Sequence, residues 1–267
     1  MILLLLLFIY NVYATPYNVI SSFGSTDYYT GSIQTCTPCS IVWVHGYGAD
    51  YNAAIQCFDQ ISSSYLKAGG TCNIYGFAWD SESQAITPQD FKEKMKLADK
   101  IGAGSFTLFI KDLTMKCPGS KISLLAHSLG DRIIFYPPNE GIRGISNIIA
   151  ISAAIDYDVL EKSHEFEYAI SNVNNTYIAY NSDDIYVLDI AYSLASSKKA
   201  LGLNGMHDPD NVVGNFKQID FSEDWGTEHP AVYDSEVNTN FWKYFAPITE
   251  TDFDIFKKYM GEVFSKK

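Results

Sequence analysis

Short apolar segments rich in β-branched residues alternate along the chain with longer segments of helical periodicity. Nearly continuous apolar runs separated by helices are typical of a parallel sheet covered on both faces. We therefore predict an α/β fold with a mostly parallel, doubly wound sheet in a three-layer α/β/α sandwich. The predicted strands are 41–45, 73–79, 121–126, 146–153, 176–180 and 216–221. The predicted helices are 50–68, 88–116 with a break near 102–104, 131–136, 188–203 and a terminal helix near 252–264.

The N-terminal apolar run differs from the predicted strands in length and position. Residues 1–14 carry no charge, are dominated by leucine and end in Val-Tyr-Ala. This length and the small residues near the end suit a cleaved secretory signal, with an uncleaved anchor or a buried first helix as the alternative. We predict a signal peptide at 1–14, a single domain at 15–267 and a secreted or lumenal location. The glycosylation sequon 174–176 is consistent with that route.

The amino-acid composition makes some classes of binding partner poor candidates. The 267 residues include 31 acidic and 19 basic side chains, which gives a net charge of −12. Such an acidic chain is a poor candidate for binding nucleic acid or an anionic membrane surface. The hydrophobic fraction of 47% fits a globular domain, and no second apolar run is long enough to cross a membrane.

Five cysteines lie in the first half of the chain. An oxidising compartment permits disulfides, and we expect Cys57 and Cys72 to bridge a loop while Cys117 is left over. Cys36 and Cys39 have the spacing of a thiol redox motif, but they precede a strand rather than open a helix, which disfavours that chemistry. Because no Cys/His cluster has ligand spacing, we predict no metal site and no cofactor.

A candidate nucleophile follows the third predicted strand. The segment Ala126-His127-Ser128-Leu129-Gly130 links that strand to a predicted helix. A serine in a sharp strand-to-helix turn with small flanking residues is typical of a nucleophile elbow, which exposes the hydroxyl. Ala126 replaces the first glycine of G-x-S-x-G, whereas Gly130 is retained. The alternative is a serine that only caps the following helix.

An activated serine needs a base, and the base needs an acid to orient it. In elbow-type enzymes these residues follow the serine in the order Asp/Glu, then His. Asp183 and Asp184 follow the fifth predicted strand, and His229 follows the sixth. We predict Ser128, Asp184 and His229 as a catalytic triad, with Asp183 and then Asp156 as alternative acids.

The end of the first predicted strand supplies a candidate oxyanion hole. A glycine-containing turn there suits the backbone donors that such a hole requires, although a plain tight turn is the alternative. We predict the amides of Tyr47 and Leu129 as donors, supported by the turn residues His45, Gly46 and Gly130. The remaining histidines fit packed or solvated roles better: His127, His164 and His207.

These motifs together resemble the alpha/beta-hydrolase superfamily, and within it an uncharacterised lipase/esterase-like subgroup. The motifs of the resemblance are V-H-G, F-x-W, an A-H-S-x-G elbow and a D-x-D pair, here at 44–46, 77–79, 126–130 and 156–158. The resemblance covers roughly 41–233 and implies an alpha/beta-hydrolase fold and a serine hydrolase. Two departures are Asp131, where the subgroup tends to have a neutral polar residue, and Pro137-Pro138, which shorten the elbow helix.

The combined prediction is a serine hydrolase that cleaves a carboxylic ester through an acyl-enzyme. The expected partner is a small-molecule or lipid ester, with no nucleic acid and no membrane span after signal cleavage. We expect 80–88 and 188–207 to roof the pocket, neither being a strongly amphipathic lid. Alternatives are a thioesterase or peptidase with the same triad, a non-catalytic binding protein, and a thiol redox protein using Cys36 and Cys39.

Overall fold

A computed structural model describes residues 17–67, 70–83, 87–227 and 229 of the protein. The predicted signal peptide at 1–14 and the predicted terminal helix near 252–264 lie outside these residues. The centre of the described chain is one seven-stranded sheet in the order β1-β3-β2-β4-β5-β6-β7, and every pairing is parallel. The strands are β1 (Asn18–Ser21), β2 (Cys39–Val44), β3 (Asn73–Ala78), β4 (Lys121–His127), β5 (Ile145–Ile151), β6 (Asn175–Tyr180) and β7 (Phe216–Asp220).

The predicted parallel α/β fold is confirmed, and six of its strands lie where the apolar runs predict them. Buried side chains form two clusters, one on each face of the sheet. Val42 and Phe77 belong to one cluster, and Ile41 and Trp43 to the other. The side chains of neighbouring residues on one strand thus enter opposite clusters, as the pleat requires. The central strands are buried on both sides, which explains why their sequences are continuously apolar.

Helices cover both faces of this sheet. They are α1 (Tyr51–Lys67), α2 (Pro88–Ile101), α3 (Thr107–Lys116), α4 (Gly130–Ile134), α5 (Tyr136–Asn139), α6 (Ser193–Ser196), α7 (Leu201–Asn204) and α8 (Ser222–Trp225). A 3₁₀ turn spans Pro209–Asn211. The Thr87 side chain caps α2 by accepting a 3.1 Å hydrogen bond from the amide of Asp90, and Pro88 occupies the first turn.

The break predicted within 88–116 is replaced by a π-helical turn, Gly102–Phe106, that joins α2 to α3. A Cβ atom on Gly104 would lie 2.1 Å from the carbonyl oxygen of Thr26. The glycine therefore permits close packing of the helix on a loop instead of ending the helix. The Thr107 hydroxyl donates to the Gly102 carbonyl at 2.7 Å, which satisfies one carbonyl within the irregular turn.

Two other predicted helices are interrupted. The helix predicted at 131–136 is α4 followed by α5, with Pro137 in the first turn of α5, where proline is tolerated. The helix predicted at 188–203 begins earlier, as a π-helical segment Ile185–Tyr192 that continues into α6. Ser197 then adopts φ +65°, which ends this helix before α7 starts.

The disulfides differ from the predicted pairing. Cys36 bonds Cys117 and Cys39 bonds Cys72, whereas Cys57 belongs to neither bond and is buried. The prediction of a Cys57–Cys72 bond with Cys117 left over is therefore wrong. Because Cys36 and Cys39 bond to different partners, they do not form a redox disulfide with each other. The two disulfides are consistent with an extracellular or lumenal protein.

The described residues contain no helix long and apolar enough to span a membrane.

Candidate active site

Ser128 occupies a strained turn between β4 and α4. Its backbone adopts φ +57°, a left-handed conformation that is uncommon outside glycine. The Ser128 amide donates to the carbonyl of Ile151 at 3.0 Å, and the Ser128 carbonyl accepts from the amide of Ala154 at 3.1 Å. Both contacts anchor the turn to the end of the neighbouring strand β5. This is the strand–turn–helix geometry expected of a nucleophile elbow.

The turn packs tightly against the loop that follows β2. A Cβ atom on Gly130 would lie 2.5 Å from the carbonyl oxygen of His45 and 2.7 Å from that of Val44. A Cβ atom on Gly46 would lie 3.0 Å from the Cβ of Ser128. Both glycines therefore allow two backbone segments to approach more closely than side chains would permit, which brings the loop beside the serine.

His45 locks this loop through its ring and its backbone. The ring is fully buried and lies stacked on Trp79, with centroids 5.7 Å apart. Its Nε2 accepts the Trp79 amide at 3.1 Å, so Nδ1 carries the proton and donates to the Gly46 carbonyl at 2.9 Å. Trp79 Nε1 also donates to the His45 carbonyl at 2.8 Å. Burial lowers the pKa of His45 to about 4, so the ring is a neutral structural element.

Ser81, which the sequence analysis did not single out, also holds this loop. Its buried hydroxyl donates to the Gly46 carbonyl at 2.8 Å and accepts from the Ala49 amide at 3.0 Å. Its carbonyl accepts from the amide of Gly48 at 2.9 Å. A serine just after a strand carries no sequence signal for this role, because the partner loop is more than 30 residues away in the chain.

The two predicted oxyanion donors lie on the loop after β2 and on the turn after β4, which pack against each other. Tyr47 follows Gly46 in the loop, and Leu129 follows Ser128 in the turn. Within the described part of the chain, neither backbone amide has a hydrogen-bond partner. The Tyr47 side chain is directed to another element, since its hydroxyl donates to Asp90 in α2.

Asp184 and His229 form a close pair. His229 Nδ1 lies 2.5 Å from Asp184 Oδ2. The Asp184 side chain is fully buried, and that of His229 is 14% exposed. The other carboxylate oxygen, Oδ1, accepts the amides of Val187 at 3.3 Å and Leu188 at 3.2 Å, and so caps the π-helical segment. The Asp184 carboxylate thus both orients His229 and caps the π-helical segment.

The two alternative acids lie elsewhere. Asp183 is exposed, and its backbone amide bonds the side chain of Asn181. Asp156 accepts the hydroxyl of Tyr192 at 2.5 Å and lies 3.4 Å from the ammonium group of Lys198. Of the three candidate carboxylates, Asp184 is the one that contacts His229.

His127 packs against His229. Their ring centroids are 4.7 Å apart, and His127 is buried. Burial first, then the nearby rings of His229 and His45, hold the pKa of His127 well below its usual range. The two surface histidines each face a carboxylate: His164 lies 3.8 Å from Asp158, and His207 lies 3.3 Å from Glu161.

The ring nitrogen of His229 that would serve as a base is Nε2. This atom is buried and has no hydrogen-bond partner among the described residues, so it does not bond the Ser128 hydroxyl in this structure. Hydrogen bonds between catalytic groups are often long without substrate and tighten when it binds. The described site therefore holds an oriented imidazole with an unused acceptor atom.

Asp131 is a further ionisable residue next to the elbow. It lies in the first turn of α4 and is fully buried. Burial raises the pKa of this carboxyl group well above its usual range, which favours the uncharged form.

The parallel seven-stranded sheet covered by helices on both faces, with an elbow turn after β4, is that of an alpha/beta hydrolase. The family model described as "Alpha/beta hydrolase of unknown function (DUF900)" matches residues 37–211, about two thirds of the chain. The chain belongs to this family, and membership supports a hydrolase. No curated protein matches the sequence.

Several solved structures are similar to the chain. The product of gene lin2722 from Listeria innocua is 14% identical with a TM-score of 0.41, over 82% of this chain and 96% of that one. A predicted CIB-like hydrolase from Thermoplasma acidophilum is 16% identical with a TM-score of 0.38, over 79% and 89%. Esterase PE8 is 17% identical with a TM-score of 0.42, over 77% and 92%.

Proposed function

We propose that the protein is a serine hydrolase that cleaves a carboxylic ester through an acyl-enzyme. Ser128 is the nucleophile, His229 the general base and Asp184 the acid that orients it. The amides of Tyr47 and Leu129 hold the oxyanion. We further propose that the chain is secreted or lumenal, directed by a signal peptide at 1–14 and folded as one domain at 15–267.

The observation that carries the proposal is the contact between His229 Nδ1 and the buried carboxylate of Asp184 at 2.5 Å. A carboxylate on one ring nitrogen fixes the tautomer of an imidazole and leaves the other nitrogen as a proton acceptor. His229 Nε2 is that other nitrogen, and no described residue occupies it. The strained Ser128 turn supports the same assignment, because such strain concentrates at functional sites.

The chemistry follows from these groups. The Ser128 Oγ attacks the carbonyl carbon of the ester while its proton passes to His229 Nε2, and the carbonyl π electrons move to the oxygen. The tetrahedral intermediate collapses, the bond to the alcohol oxygen breaks, and His229 returns the proton to the departing alcohol. A water molecule then repeats both steps on the acyl-enzyme, which releases the acid and regenerates Ser128.

Two features would stabilise the charge that develops. The amides of Tyr47 and Leu129 have no partners among the described residues and stand on the two segments that enclose Ser128. Removing one such donor in other hydrolases costs about 10²–10³-fold in rate. The His45 and Ser81 contacts hold the loop that bears Tyr47, so they act as positioning groups for the donor.

Labelling with a fluorophosphonate probe tests the proposal. The wild type should label, whereas Ser128→Ala and His229→Ala should not. Ser152→Ala is the matched control, because Ser152 is also buried, also directly follows a strand and also has a positive φ of 46°. His207→Ala is the control for the histidine. A folded wild type that does not label, or a Ser128→Ala variant that does, would contradict the assignment.

A further inference from the structure

The peptide group between Gly46 and Tyr47 is held on its carbonyl side. The Gly46 carbonyl accepts from His45 Nδ1 at 2.9 Å and from the Ser81 hydroxyl at 2.8 Å. A trans peptide group is planar, so its carbonyl and its amide point in opposite directions. The two hydrogen bonds therefore direct the Tyr47 amide to the side of the loop away from Ser81.

The residue before this amide is free to turn, because glycine adopts backbone conformations that other residues rarely do. A rotation of the peptide group changes ψ of Gly46 and φ of Tyr47, the two soft dihedrals that flank it. Gly46 itself offers little resistance to that rotation. A fixed amide therefore also requires a restraint on Tyr47.

The side chain of Tyr47 supplies this restraint. Its ring lies against the buried Phe91 in α2, with the centroids 5.2 Å apart. Its hydroxyl donates to the carboxylate of Asp90 in the same helix. The side chain is thus held along its ring and at its tip, which restricts rotation of the backbone that carries it.

Asp90 is in turn fixed at the start of α2. Its amide donates to the Thr87 side chain at 3.1 Å. The carboxylate oxygen that accepts from Tyr47 also accepts the Ser83 hydroxyl at 2.6 Å. These hydrogen bonds, that of Ser83 first, lower the pKa of Asp90, so it accepts them as a carboxylate. One side chain therefore joins the loop after β2, the segment after β3 and the first turn of α2.

We propose that Asp90 is a positioning residue for the oxyanion hole, which holds the Tyr47 side chain and thereby keeps the Tyr47 amide directed at the oxyanion. The inference rests on the proposed function, since it takes that amide to be a donor. Asp90 touches neither the substrate nor Ser128 in this role. It acts through Tyr47 alone, with Ser83 as its support.

Steady-state hydrolysis of p-nitrophenyl acetate, an activated carboxylic ester, tests the inference. Tyr47→Phe and Asp90→Ala each remove the hydrogen bond but keep the backbone amide. We expect each variant to lower kcat about tenfold with KM within about twofold, because an oxyanion donor acts on the transition state. Titration with a fluorophosphonate counts the active sites, so a loss of folded protein is not mistaken for a loss of kcat.

Two more variants separate the held hydroxyl from other effects of Asp90. The double variant Tyr47→Phe/Asp90→Ala should lose no more than either single variant, because both substitutions remove the same contact. Asp90→Asn keeps an acceptor oxygen without the charge, and it should recover most of the lost rate.

Tyr29→Phe is the matched control. The Tyr29 hydroxyl donates to Asp112 in α3 at 2.7 Å, and its ring lies against Phe109 with the centroids 5.3 Å apart. The pair has the same chemistry as Tyr47 and Asp90 but joins other elements, the loop after β1 and α3. We expect kcat to stay within about twofold of the wild type.

Four results would overturn the inference: an unchanged kcat in Tyr47→Phe, losses that multiply in the double variant, an Asp90→Asn variant as slow as Asp90→Ala, or an equal loss in Tyr29→Phe. In each of these the wild type still labels and still hydrolyses the ester, so the proposed function stands. Failure of the proposed function gives a different result. The folded wild type would then neither label nor hydrolyse the ester, or the hydrolysis would survive in Ser128→Ala, and both proposals would fall.

Discussion

The elbow region and the acid–base pair are constructed on different principles. The elbow consists of closely packed backbone segments. Gly130 packs against the His45 carbonyl, and the Ser128 backbone is hydrogen-bonded to the end of β5. Burial shifts the pKa of the elbow's ionisable neighbours His127 and Asp131 in the direction that favours their uncharged forms. The acid–base pair instead depends on polar contacts to one carboxylate, between residues 45 positions apart.

Because of this difference, we expect the two regions to affect different properties: the elbow the stability of the fold, and the acid–base pair the rate of reaction. Changes that enlarge a residue in the elbow collide with backbone, which cannot move without displacing two strands. Changes to the acid–base pair alter the orientation and charge of an imidazole while leaving the packing of the sheet intact. We expect elbow substitutions to be seen first in unfolding experiments and acid–base substitutions first in reaction rates.

Asp184→Asn should have the largest effect. Asparagine keeps the shape and can still cap the π-helical segment, but it loses the carboxylate that holds His229 in the productive tautomer. The corresponding change in a well-studied serine protease lowers the rate about 10⁴-fold, and we expect a drop of that order here. The second-order rate constant for fluorophosphonate labelling measures it.

Asp183→Asn is the matched control for that prediction. Asp183 is adjacent in sequence but exposed, so its substitution should leave the labelling rate within about twofold, as for most surface changes. Equal losses in the two variants would show that the identity of the acid is wrong.

Gly130→Ala should have the next largest effect, on the free energy of unfolding. The added methyl group would lie 2.5 Å from the His45 carbonyl oxygen, so the elbow or β2 must shift. We expect a loss of about 3 kcal/mol, the upper range for overpacking. Urea unfolding monitored by fluorescence provides the measurement.

Gly141→Ala is the control for Gly130→Ala. Gly141 has φ +80° and open space around its Cβ position, so alanine meets conformational strain but no collision. Its expected cost is about 1 kcal/mol. If Gly141→Ala destabilises the protein as much as Gly130→Ala does, the close packing of the elbow contributes nothing beyond ordinary backbone strain.

Asp131→Asn should have an effect on the free energy of unfolding that depends on pH, small near pH 4 and growing as the pH rises. The folded pKa of Asp131 is raised above the ordinary value of 3.8, so the unfolded chain releases this proton first as the pH rises. The wild type therefore loses stability relative to the variant above pH 3.8, by about 1.4 kcal/mol per pH unit, until the folded carboxyl group also ionises. Parallel urea titrations of both proteins from pH 4 to pH 7 would measure this difference, and a constant difference would contradict it.

The sequence predicts the elbow well because its signals are local. Ser128, its small neighbours and the preceding apolar strand lie within ten residues, so one short window contains the pattern. The sequence leaves the acid open among Asp184, Asp183 and Asp156, because Asp183 and Asp184 are adjacent and Asp156 also follows a predicted strand. Only burial and the direction of the side chain separate them.

Other features depend on distant contacts that no local pattern contains. The edge strand β1 has four residues and gives too short a pattern to predict. The disulfide partners of Cys36 and Cys39 are fixed by which strand ends are neighbours in the sheet, an order that differs from the order of the chain. The π-helical start at Ile185 depends on a side-chain cap from Asp184, which helical periodicity does not report.

Both disulfides lie at the end of the sheet opposite the candidate site. Cys39 opens β2, Cys72 precedes β3, and Cys117 precedes β4, whereas Ser128, Asp184 and His229 follow the other ends of their strands. In the chain-entropy model, loops of 33 and 81 residues each contribute about 4 kcal/mol by restricting the unfolded chain. The redox state of the surroundings thus affects how readily the protein unfolds. It does not change the candidate site of the molecules that remain folded. Export to an oxidising compartment would lengthen the working life of the protein without altering the rate of any single turnover.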